Sequence, residues 1–266
     1  MDISGKVALV TGAARRVGRA VAIELARSGC DVAIHCHKSI QDADGLRTAI
    51  QTLGRRAAVL KGDLADPAIP DRLVADTVSI LGRLDILVNN ASIFDKIPLE
   101  EAEADRWERM LRINTVAPAL LIRAAAPIMR SAGAGRIVNL TDILADRPIK
   151  HHGPYCASKA ALACLTRSLA LELAPLITVN AIAPGIAVFP EYYDPDLRER
   201  LTARVPLKRS GSPEEIAALV RFLATEGDYI TGQIIPLDGG ASLAWSRQNE
   251  SKPGGFSPPC RQHDIS

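Results

Sequence analysis

Short runs of Val, Ile and Leu recur along the chain at 7–10, 32–35, 57–60, 86–88, 137–140, 178–182 and 234–237. Apolarity within each run is continuous rather than alternating, the pattern of a strand buried on both faces and hence of a mostly parallel sheet. Between the runs, apolar residues at three- and four-residue spacing predict helices at about 18–28, 42–53, 67–81, 101–131, 154–174 and 213–225. Gly29 and Gly54 stand at C-terminal stops, and Ser212-Pro213-Glu214-Glu215 is a helix start. The repeated βα order predicts one α/β domain over residues 1–245. Its expected form is a Rossmann-type, doubly wound fold with a seven-stranded, mostly parallel sheet and helices on both faces. From 246 to 266 the chain turns to Pro253, Gly254, Gly255, Pro258 and Pro259 among polar residues, which predicts a disordered tail without chemistry.

Composition narrows the partners. With 266 residues, 47% apolar and 23% charged content and a net charge of +2, nothing calls for nucleic acid or an anionic membrane surface, and a small molecule is the expected partner. The cysteines Cys30, Cys36, Cys156, Cys164 and Cys260 are odd in number and lack C-x-x-C spacing, so they read as reduced thiols. No basic segment followed by an apolar core opens the chain and no later run reads as long and apolar enough to span a bilayer, so a soluble, cytoplasmic protein is expected.

The first run is followed by Thr11-Gly12-Ala13-Ala14-Arg15-Arg16-Val17-Gly18 and then a helix. Gly12 permits the sharp strand-to-helix turn, Gly18 allows close packing, and the exposed amides of the helix start favour a pyrophosphate. An NAD-preferring unit ends its second strand with a carboxylate for the ribose 2′-hydroxyl; this chain reads His35-Cys36-His37-Lys38-Ser39 instead. A 2′-phosphate suits that segment, with charge from Lys38, a donor from Ser39 and the guanidinium fork of Arg16. The His35-x-His37 pair has no third ligand at hand in sequence, so no metal site is expected.

Tyr155-Cys156-Ala157-Ser158-Lys159 opens a helix, placing Tyr155 and Lys159 one turn apart on one face. An ammonium beside a phenol is expected to draw its pKa below the usual ~10 and make it a general acid or base. Asn89-Asn90-Ala91, Asp142 and Pro184-Gly185 fall at carboxyl ends of strands, where open α/β sheets bind ligands, and Asn114 lies within the long fourth helical stretch.

Together with Asp238-Gly239-Gly240, these motifs over about residues 5–243 resemble the short-chain dehydrogenase/reductase family. The resemblance implies an NADP(H)-dependent enzyme in which Tyr155 protonates the substrate and Lys159 bonds the nicotinamide ribose and polarises Tyr155. It also implies that Asn114 holds a relay water, that Asp63 lies near the adenine, and that Gly12, Arg16, Val17, Gly18, His37, Lys38, Ser39, Asn90, Ala91, Pro184 and Gly185 contact the cofactor.

Thirteen residues before the tyrosine, where the family usually has a serine, stands Asp142. A carboxylate repels a developing alkoxide but suits a substrate that gains cationic character or presents N–H donors. The pteridine reductases carry an Asp-Tyr-Lys set, and the chain is similar to them also in Arg16 of the T-G-x-x-x-R-x-G turn, in His37-Lys38-Ser39, and in Asn90-Ala91-Ser92-Ile93-Phe94. That similarity implies that Ser92 reaches a pterin and Phe94 stacks on it, with Arg16, Asp142 and Tyr155 completing the substrate site. Thr141 is an alternative source of the missing hydroxyl, and Phe94 alternatively a core residue. A carbonyl reductase acting on a 3-oxoacyl thioester or sugar ketone is the competing reading, and a non-catalytic nucleotide sensor the third. The segment 186–206, with Phe189, Glu191, Tyr192, Tyr193 and Asp194, is expected to close over substrate. Small and apolar residues nearly all round 154–174 call for a second packing partner, and with the family resemblance imply a homotetramer, or failing that a dimer, paired through this helix.

Overall fold

The computed structural model describes residues 1–187, 189 and 193–244. The strands are β1 (Val7–Val10), β2 (Asp31–Cys36), β3 (Ala57–Lys61), β4 (Ile86–Asn89), β5 (Gly135–Leu140), β6 (Ile177–Pro184) and β7 (Ile234–Leu237). They form one sheet in the order β3-β2-β1-β4-β5-β6-β7, with every pairing parallel. The helices are α1 (Arg16–Arg27), α2 (Ile40–Thr52), α3 (Ile69–Leu81), α4 (Ala104–Leu111), α5 (Ala117–Ser131), α6 (Gly153–Leu173), α7 (Pro195–Arg204), α8 (Pro213–Thr225) and the short α9 (Ala241–Ala244).

Successive strand side chains point to opposite faces, so each continuous apolar run feeds two cores. Val10, Val32, Ile34, Val88 and Ile182 pack with Leu25 of α1, Leu46 of α2 and Val220 of α8 on one face. Leu9, Ala33, Leu87, Ile137 and Val179 pack with Leu73 of α3, Leu121 of α5 and Leu173 of α6 on the other. Each such fully buried aliphatic side chain contributes about 1.5–3 kcal/mol. The predicted doubly wound architecture is the observed one.

Three expectations change. The helix foreseen over 101–131 is α4 and α5 joined without a break through a π-helical turn, Arg112–Val116, which contains Asn114. By length and composition the combined span Ala104–Ser131 would suffice to cross a membrane, contrary to the sequence reading. Leu121, Ile122, Ala125 and Met129 of this span are packed in the second core. The segment 186–206 contains a helix, α7, where only a loop was expected; Glu191 and Tyr192, like the tail 246–266, lie outside the described residues.

Buried Asp85, just before β4, ties two strand starts together: its carboxylate accepts the Val7 N–H at 3.0 Å and two bonds from Arg83 at 2.7 and 2.6 Å. Asp85→Ala orphans a buried amide and is expected to cost about 2–3 kcal/mol in urea unfolding; an unchanged midpoint would show that the tie carries no stability.

Candidate active site

Because all strands run the same way, the segments leaving their carboxyl ends converge on one edge of the sheet. They line a continuous cavity of about 800 Å³ reaching from Gly12 and Gly18 past Asn90 and Ala91 to Asp142, Tyr155, Lys159 and Gly185.

At its first end the glycine turn is tight for stated reasons. Gly12 has φ +62°, and a Cβ on Gly18 would lie 2.4 Å from the Gly12 carbonyl oxygen. Asn90 holds the turn from the neighbouring strand, donating from Nδ2 to the carbonyls of Thr11 at 2.8 Å and Gly12 at 3.2 Å. The backbone therefore presents a side-chain-free floor at the start of α1, which fits a dinucleotide pyrophosphate. Arg16, with φ 51°, Val17, His37 and Asp63 also line the cavity. His37 Nε2 lies 3.6 Å from Asp63 Oδ2. Lys38 and Ser39 do not line it: Lys38 is exposed just beyond β2, and Ser39 precedes the first turn of α2.

At the other end, Tyr155 Oη donates to Asp142 Oδ2 at 2.7 Å, and Asp142 Oδ1 accepts the Leu144 N–H at 2.9 Å. Lys159, 3% exposed, donates from Nζ to the Leu140 carbonyl at 2.7 Å and lies 5.7 Å from the Tyr155 ring centroid. The expectation of a lowered tyrosine pKa is thus overturned. Burial, and then the Asp142 carboxylate, push the Tyr155 phenol well above its usual value. The ammonium is bound to a carbonyl, so the charge directly on the hydroxyl is negative. Burial brings Lys159 down to about 8. Asp142 is pushed up by burial, against the pull of the Leu144 N–H, the Tyr155 hydroxyl and Lys159. Across neutral pH Tyr155 is consequently a proton donor.

Thr141 is no substitute for the missing hydroxyl, since its Oγ1 donates to the Ile182 carbonyl at 3.0 Å. Asn114 is 1% exposed, with its side chain engaged by the Ile93 backbone at 2.9 and 3.0 Å and by Ser158 Oγ at 3.0 Å. It pins segment 92–93 against α6 and makes no side-chain hydrogen bond to Tyr155 among the described residues. The Ser92 hydroxyl donates to Asn114 Oδ1 at 3.1 Å. Phe94 meets Tyr155 edge-on, with centroids 4.7 Å apart and planes at 87°, while its ring also stacks on His152 at 4.7 Å and 23°.

A family described as Enoyl-(Acyl carrier protein) reductase matches residues 12–242. A short-chain type dehydrogenase/reductase of Picea abies is 36% identical over 251 residues, covering 90% of this chain and 93% of that protein. The chain belongs to the short-chain dehydrogenase/reductase family. A 3-oxoacyl-[acyl-carrier-protein] reductase of Synechocystis sp. is 35% identical, covering 90% of this chain and 97% of the relative. The crystal structure of FolM alternative dihydrofolate reductase 1 from Brucella canis, complexed with NADP, superimposes with a TM-score of 0.88 at 34% identity over 95% of this chain and 98% of that one. The chain is accordingly an oxidoreductase.

Two histidines escaped the sequence reading of the site. His152, 6% exposed, backs Phe94, yet in sequence it is one of two loop histidines with no periodicity to place it. His35, 2% exposed, accepts the Gly12 N–H on Nδ1 at 3.2 Å, so its Nε2 carries the proton donated to the Gly62 carbonyl at 3.2 Å. It joins the glycine turn to the segment bearing Asp63; its position at the end of β2 beside the turn was the available signal. Burial lowers its pKa from 6.5 to about 4, so the neutral ring is the folded form. The stabilisation is complete above the unfolded value and is lost as pH falls from about 6.5 towards 4. Urea unfolding of His35→Asn at pH 7 and pH 4.5 is expected to show a smaller loss of stability between the two than the native chain. An equal loss would contradict this assignment.

Proposed function

We propose that this NADP(H)-dependent oxidoreductase reduces the C=N bond of a dihydropterin. The observation that carries the reading is the buried Tyr155–Asp142 hydrogen bond of 2.7 Å in place of a serine–tyrosine pair. Gly12, Arg16, Val17, Gly18, His37, Asp63, Asn90, Ala91, Lys159, Pro184 and Gly185 line the cavity and would hold the cofactor. When bound, NADPH supplies a hydride to the imine carbon. Tyr155 Oη delivers a proton to the adjacent nitrogen, so the C=N bond becomes CH–NH. Asp142 orients that hydroxyl, and its charge favours a ring that becomes cationic on protonation while opposing a ketone that becomes an alkoxide. The buried Lys159 ammonium offsets the negative charge left on the Asp142–Tyr155 pair after proton transfer. Phe94 offers an aromatic wall held edge-on by Tyr155 and backed by His152; offset stacking on such a wall adds about 0.5–1.5 kcal/mol beyond burial. Likeness to an alternative dihydrofolate reductase supports the same reading.

Similarity to 3-oxoacyl-[acyl-carrier-protein] reductases favours a second reading, reduction of a 3-oxoacyl thioester. Steady-state NADPH oxidation with dihydrobiopterin, dihydromonapterin, dihydrofolate and an acetoacetyl thioester separates the two. Turnover of a pterin is expected, and turnover of the thioester alone would refute it. Asp142→Ser is expected to lower kcat for the pterin by a hundredfold or more, the scale of one misdirected general acid, while NADPH affinity by fluorescence changes less than threefold. Parallel loss of both would make Asp142 structural.

A further inference from the structure

The cavity does not end at the Tyr155–Asp142–Phe94 slot. Its walls also include Leu144 and Ile149, and Phe189 and Leu201 of the segment after β6. The same cavity is lined by two arginines, Arg109 in the last turn of α4 and Arg204 in the last turn of α7. Both are exposed, and the side chain of neither makes an ion pair or hydrogen bond among the described residues. Some other arginines of this chain are engaged, among them Arg123 with Asp71 at 2.6 Å, Arg136 with Asp228, Arg209 with Glu215 at 2.6 Å, and Arg15, at the cofactor end of the same cavity, with Asp42 at 2.7 Å. Among the described residues the carboxylates lining the cavity are Asp63 at the cofactor end and Asp142, whose oxygens are both taken. These residues form an apolar collar carrying two arginines that have no carboxylate partner among the described residues.

Building on the pterin reading, we propose that Arg109 and Arg204 form an anion subsite that selects dihydropterins carrying an acidic tail over those with a neutral side chain. A pterin bicycle held at Phe94 and Asp142 leaves its substituent directed along the collar, where aliphatic and aromatic walls suit an apolar spacer and the guanidinium forks suit a terminal carboxylate. The arginines come from different elements, one from the π-turned helix that carries Asn114 and one from the helix after β6, so an anion between them would also join α7 to the body of the domain. Cations at helix C-termini are also favoured by the helix dipole alone, a role that would leave substrate preference untouched.

The test compares dihydrofolate, with its p-aminobenzoyl-glutamate tail, and dihydrobiopterin, with its neutral dihydroxypropyl chain, as substrates of the native chain and of the Arg109→Ala/Arg204→Ala double variant. The ratio of kcat/KM for dihydrofolate to that for dihydrobiopterin is expected to fall about tenfold in the variant, through KM, the scale of a charge-assisted contact at a solvated site. Lys at both positions should restore part of the ratio, and raising salt from 0.05 to about 0.5 M should shrink it in the native chain. An unchanged ratio, with the native chain turning over both pterins, would overturn the subsite and leave pterin reduction standing. Failure of the native chain to reduce either pterin would overturn both proposals.

Discussion

A parallel sheet covered on both faces is the constraint from which the site follows. The central strands are buried on two sides, so their residues are mostly apolar, and most of the polar function is displaced to the segments leaving the carboxyl ends. With all pairings parallel those ends lie on one edge. The glycine turn after β1, Asn90-Ala91 after β4, Asp142 after β5 and Gly185 after β6 are thereby brought to one cavity from positions far apart in the chain. Helix α6 completes the arrangement by standing Tyr155 and Lys159 one turn apart against the end of β5, where the main-chain carbonyl of Leu140 fixes the ammonium.

Within that frame the aspartate changes the chemistry of the tyrosine. A phenol beside an ammonium would be a poised base, whereas a phenol donating to a buried carboxylate is a held acid. The distinction favours giving up a proton over taking one from an alcohol. The arrangement around it is rigid: Asn114 fastens the Ser92–Ile93 segment to α6, and His152 and Tyr155 together fix the orientation of Phe94.

The fold was legible because continuous apolar runs can only be doubly buried strands in a chain with helical spacing between them, and Ser212 and Gly29 mark element ends by well-understood backbone chemistry. Helix α7 was not legible. It begins with an Asp194 cap accepting the Leu197 N–H at 2.6 Å, but it buries no residue and so shows no apolar period. In the site, residue identities were readable and their electrostatics were not. Spacing places Lys159 near Tyr155, but only the fold shows that its ammonium is spent on Leu140 and that Asp142 reaches the hydroxyl. His35 likewise reads as one of a pair on a strand, and only the register beside Gly12 shows its purpose.

Asp142 keeps Tyr155 protonated, and the phenolate absorbance of Tyr155 against pH measures this directly. It is obtained as the difference between the native chain and Tyr155→Phe, and again in an Asp142→Asn background. The expected result is titration above the ordinary tyrosine value of about 10 in the native chain and a lower midpoint once the carboxylate is neutralised. A phenolate appearing near neutral pH in the native chain, or a midpoint indifferent to Asp142→Asn, would contradict it.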